Sequence, residues 1–379
     1  MINFFLFLIA IMVTVKTSAG PTVEMNKAFK AITDLIPYMQ DELVFSEKYN
    51  QPTIKKHLGE LQAAFKAIKH DKVIRQDLFA PSYELLNLTL SNTIDTFNKG
   101  HKEYALWQLQ GLTNMCIECH TRLPPDHASS FEVGGNQIDP SKLKDPYSLG
   151  ISYLIVRRYV DAKASFVRTI QDKIIKKDMK DIILPFKQIL LIEAKVLKNP
   201  NNLIAYFGEY SNRNDLPEEL RKSLREWIQR VKYWQKKKLF ETELKTDEDV
   251  WSFIKKELIH LKTKETMEER YDVDLLLSSG LLSHYLFNQP NTPVSSEITY
   301  WIGWIEKVLG RDDFYSSGDL FFKQCIRRYP QQPVALRCLE EYRESVEFEF
   351  SGSSGTHIPD DVKKELNELS ALIKKNEKK

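Results

Sequence analysis

Apolar residues recur at steps of three and four along most of this chain, and that spacing restricts it to helices. Met25, Phe29, Ile32, Ile36, Met39 and Leu43 open the pattern, with Pro37 placed to kink or divide the first helix. Ile54, Leu58, Leu61, Phe65 and Ile68 form a second stripe after the Asn50-Gln51-Pro52 turn. A third helix runs from about Ser82, with Tyr83, Leu86, Leu90, Ile94 and Phe97 on one side. The fourth follows Lys99-Gly100 and brings Ala105, Leu109, Leu112, Cys116 and Cys119 into register. Only 14 glycines among 379 residues argue against a turn-rich β fold. The expected class is all-α.

Charge excludes some partners. Lys and Arg total 54 against 52 Asp and Glu, so no global field favours nucleic acid or anionic lipid. The N-terminus suggests export. Ile2 to Val15 is an apolar run too short to span a bilayer comfortably, and Thr17-Ser18-Ala19 supplies small residues of the kind a signal peptidase reads. Residues 1–19 are therefore expected to be a signal peptide cleaved after Ala19. The mature chain should have no membrane span and should lie outside the cytoplasm, in the periplasm of a bacterium.

Four cysteines fall into two pairs, which read differently. Cys116-Ile117-Glu118-Cys119-His120 has C-x-x-C-H spacing, the attachment pattern for haem c. Positions i, i+3 and i+4 share one helical face, so two sulfurs and an imidazole address the same side. On this reading Cys116 and Cys119 form thioethers and His120 is the proximal iron ligand. Competing readings fit less well. A thioredoxin-type motif opens a helix, whereas this one closes a helical pattern. A zinc site drawing in His127 would crowd three ligands into five residues. A disulfide between Cys116 and Cys119 would close a very tight loop.

Four helices with C-x-x-C-H near the end of the last resemble the class II, cytochrome c-prime type, cytochromes over roughly residues 22–123. The resemblance implies a left-handed four-helix haem-binding bundle (residues 20–123) and His120 as proximal ligand. It also places the first helix over the distal haem face. A sixth ligand in such proteins is a methionine of that helix, and Met25 is the best-placed candidate here. An open distal site would instead take a small gas such as NO or CO. Bundles of this kind pair as homodimers through their first two helices.

Pro124-Pro125-Asp126 stops the fourth helix, and residues 124–146 read as linker. Beyond it Leu149-Gly150, Tyr153, Ala162 and Phe166 fall at offsets resembling tetratricopeptide repeats, in which small residues let paired helices approach. Gly318, Phe322, Cys325 and Pro330 repeat the second half of that unit, and Ile302-Gly303 serve its first helix if the intervening loop is about three residues longer than the usual repeat allows. Between 181 and 287 there is helical periodicity without a repeat that can be phased. Residues 147–350 are thus expected to be an irregular C-terminal α-solenoid. Cys325 and Cys338 lie equidistant from the centre of the turn around Tyr329-Pro330-Gln331-Gln332, so an antiparallel hairpin makes them face each other as a disulfide. Lys232 to Lys238 read as a solvated helix face. Residues 351–379 read as a flexible Ser/Gly connector and a charged terminal helix.

These expectations combine into a periplasmic monohaem cytochrome, an electron carrier rather than a substrate-turning enzyme. Its helical repeats would dock a redox or envelope protein. The alternative from the same residues is a haem-based gas sensor or envelope scaffold.

Overall fold

Helices follow the apolar spacing along the chain. The computed structural model describes residues 22–124, 138–143, 145–263, 268–310, 317–353 and 355–377. The expected signal peptide, His127 and most of the linker lie outside the described residues. Helix α1 (Thr22–Met39) ends two residues after Pro37, and Asp41 caps the short α2 (Glu42–Ser46) by accepting from the Leu43 amide at 2.8 Å. This break turns Leu43 out to 81% exposure, off the inward stripe that unbroken spacing predicts. Helices α3 (Gln51–Ala67), α4 (Ala80–Asn98) and α5 (Lys102–Arg122) keep their expected faces. α1 packs on α3, α3 on α4, and α4 on α5.

Asp145, inside the stretch expected as linker, caps α6 (Pro146–Ile155), which pairs with α7 (Tyr159–Lys176). The pair closes tightly because residue 150 is glycine. A Cβ there would stand 2.6 Å from the Phe166 ring. α8 (Ile183–Leu190) runs without interruption into a π turn, Leu191–Val196. α9 (Pro200–Ser211) pairs with α10 (Glu218–Lys236), which buries Leu220, Leu224, Trp227, Val231 and Trp234 at helical spacing. The lysines around Trp234 face outward, while its indole donates to Asp274 Oδ1 at 2.8 Å.

A capping box at Thr246 and Asp249 starts α11 (Asp247–Phe253), which passes through a second π turn, Ile254–Leu258, into α12 (Ile259–Lys262). Then come α13 (Asp272–Asn288), α14 (Ser295–Leu309), α15 (Gly318–Arg328) and α16 (Val334–Glu349), successive neighbours in space. α13 is buried on almost every side, so its apolar residues show no stripe.

Cys325 on α15 and Cys338 on α16 form the expected disulfide, with Cα atoms 6.4 Å apart. The Ser/Gly segment holds a two-residue antiparallel pairing, β1 (Ser351–Gly352) with β2 (Gly355–Thr356). The terminal helix α17 (Asp360–Glu377) packs on α15 and α16, burying Leu369 and Ile373. Its Glu365 accepts from Lys323, Arg327 and Tyr342. The described residues are thus essentially all-α, and no described helix is long and apolar enough to cross a membrane.

Candidate functional site

The end of α5 is packed among elements from distant parts of the chain. It touches α4, α6, α13 and the Leu191–Val196 turn. Its apolar stripe carries Leu109, Leu112 and Met115 into that setting. Polar residues at the helix end must therefore find partners inside the protein.

Arg122 does so through both of its terminal nitrogens, while its Nε has no hydrogen-bond partner. Its side chain is fully buried. Nη1 donates to Ser82 Oγ at 2.6 Å, and Nη2 reaches Glu118 Oε2 and Glu306 Oε1 at 3.2 Å each. Ser317 donates to Glu118 Oε2 at 2.8 Å, and Ser279 donates to Glu306 Oε1 at 3.3 Å. Lys195, projected from the π turn, lies 3.6 Å from the same Glu306 oxygen. Two cations and two carboxylates thus join α5, the π turn and α14. Burial pushes Glu118 up to about 7, with the Glu306 charge adding to the effect. Burial works on Glu306 in the same direction, but Lys195 and Arg122 together outweigh it and hold its carboxyl low. Burial also lowers Lys195. Lys195 comes this close because α13 crosses the π turn at Gly280. A Cβ on Gly280 would stand 2.4 Å from the Lys195 carbonyl oxygen.

The structure corrects the haem reading. Among the described residues there is no group of three or more His, Cys, Asp and Glu side chains able to hold a metal ion. The cysteine pair that is covalently engaged is Cys325–Cys338, and Cys116 and Cys119 are free thiols. His120, expected as proximal ligand, is buried with Nδ1 against the Ile155 carbonyl of α6. Burial drives its pKa down to about 4, so the imidazole is neutral. The same desolvation pushes the Cys116 thiol up to about 12 and raises Cys119. Met25, expected as a distal ligand, is a half-buried side chain of α1 packed on the core. The covalent haem c, the iron, the electron-carrier reading, the gas-sensor alternative and the cytochrome resemblance all fall with this correction.

Sequence reasoning missed Arg122, Lys195, Glu306 and Glu193. Glu118 and Arg122 stand four apart, which reads as an ordinary pair on a helix surface. Their burial depends on helices nearly two hundred residues away, and nothing local signals it.

The π turn has a second polar face. A cleft of about 490 Å³ lies between α7 and α9, with Ile189 and Glu193 contributed by α8 and the π turn. Glu193 is 2% exposed. Its Oε1 is held by Lys163 of α7 and by Asn202 of α9, the latter at 3.4 Å, while Oε2 has no hydrogen-bond partner. One turn of backbone therefore ties the cleft to the end of α5, through Glu193 on one side and Lys195 on the other. Comparison with protein-family models, with curated proteins and with solved structures finds no match.

Proposed function

We propose that this chain is an exported helical scaffold that docks a protein partner in the cleft between α7 and α9. On this reading residues 22–123 make a bundle, and the helix pairs from 147 to 350 stack as an irregular α-solenoid, the architecture that presents extended binding faces. The observation that carries the proposal is the cleft, whose volume suits a few inserted side chains and which combines apolar walls with a buried carboxylate. Export is supported by the apolar N-terminal run and by the Cys325–Cys338 disulfide, a bond that persists in oxidising compartments.

A photoreactive residue at Val160, which is 75% exposed beside the cleft, tests the docking. The expected result in intact cells is one discrete adduct with an envelope protein, lost when Ala205→Trp fills the cleft. Absence of an adduct, or adducts indifferent to Ala205→Trp, overturns the proposal. Cell fractionation tests export. A chain that retains residues 1–19 and stays in the cytoplasm contradicts it.

A further inference from the structure

Resting on the docking reading, we infer that the cleft between α7 and α9 recognises a lysine or arginine side chain of the partner, with Glu193 as its anion. Glu193 is fixed from three directions. Its backbone carbonyl accepts the Asn199 amide at 2.9 Å, and its Oε1 is held by Lys163 and Asn202. The second oxygen is buried without a donor. Entry of a guest must shift Glu193 enough to uncover that oxygen, and an incoming N–H donor then recovers the free energy that its desolvation costs.

The rest of the lining suits the same guest. Val160, Ala164 and Val167 of α7 face Ala205 and Tyr206 of α9, an apolar passage for the methylene stem of a long basic side chain. Glu209 stands exposed on the α9 side. Two carboxylates against the single ammonium of Lys163 leave the lining with an excess negative charge. An acidic side chain would meet Glu193 and Glu209 as like charges, and a neutral apolar one would leave Glu193 Oε2 unpaired. Specificity therefore comes from what the wrong guest leaves unsatisfied as much as from what the right one gains.

Randomised dodecapeptides displayed on phage and selected on the immobilised full chain test this. The expected consensus contains one Lys or Arg between apolar residues, and its binding is blocked by Ala205→Trp. With the best synthetic peptide, fluorescence anisotropy should show at least about a 10-fold loss of affinity on Glu193→Gln. Norleucine in place of the basic residue should cause a similar loss, and the two losses should not add. Selected peptides that need the cleft but show no basic residue overturn this inference and leave the docking reading standing. Failure to select any peptide sensitive to Ala205→Trp overturns both. Should Glu193→Gln not fold, which circular dichroism shows directly, the norleucine comparison on the unaltered chain decides alone, and equal affinities overturn the inference.

Discussion

The end of α5 and the α15–α16 hairpin each carry two cysteines, and the two regions are secured by different means. In the hairpin the cysteines sit on facing helices, thirteen residues apart, and bond to each other. At the end of α5 they lie three apart on a single helix, and the region is held by the Arg122, Glu118, Glu306 and Lys195 charges instead. Residue type is the same in both places. What differs is whether the fold brings a second element opposite, and it is the neighbours, not the cysteines, that determine how each region is held.

The largest effect should come from breaking the ionic side of this comparison. Arg122→Ala leaves the buried Glu306 and the partly exposed Glu118 with one cation between them. Breaking a buried pair in that way costs about 3–5 kcal/mol, to be read from the urea midpoint. A loss below 1 kcal/mol would mean that Arg122 does not hold the end of α5. The covalent side is expected to matter less. Cys338→Ala should remove about 2–3 kcal/mol, the loop-closure contribution for a short loop. Dithiothreitol should reproduce that loss in the unaltered chain and have no effect on the variant.

A third comparison sharpens the contrast between the thiols. With its pKa near 12, Cys116 should react with maleimide at neutral pH about a thousandfold more slowly in the folded chain than in urea. Fast labelling of Cys116 in the native chain would show that burial does not control it. Cys116→Ala should cost only about 1 kcal/mol, since a half-buried side chain of moderate size is lost.

Much of this arrangement is legible in the sequence where spacing is local. Ile54, Leu58, Leu61 and Phe65 announce α3, and the symmetric placement of Cys325 and Cys338 about their turn announces the disulfide. C-x-x-C-H states only that three side chains share a helical face, which is as true of packed thiols and a neutral imidazole as of a cofactor site. The charged core was hidden for a related reason. Nothing local marks Lys195, Glu193 and Arg122 as buried, because charges seldom go inside unpaired and their partners come from α7, α9 and α14. Likewise the charged composition of α17 announces a helix but not its docking, which Leu369 and Ile373 provide.

The smallest expected effect is a cancellation in the pH dependence, and it separates two groups on the same helix. Glu118 is raised from about 4.5 in the unfolded chain to about 7, so the folded state holds the extra proton and stability falls as pH rises through that window. His120 is lowered from about 6.5 to about 4, so the unfolded state holds the extra proton and stability rises with pH across its window. Between pH 4.5 and 6.5 the slopes oppose one another, and together these two groups should change the unfolding free energy by less than about 1 kcal/mol. Glu118→Gln removes the falling contribution, so stability should climb from pH 4 to 6.5 and then level off. His120→Asn removes the rising one, so stability should fall from pH 4.5 to 7. Urea titrations at half-unit pH steps distinguish these curves. If both variants kept the slope of the unaltered chain, burial at the end of α5 would not control either group.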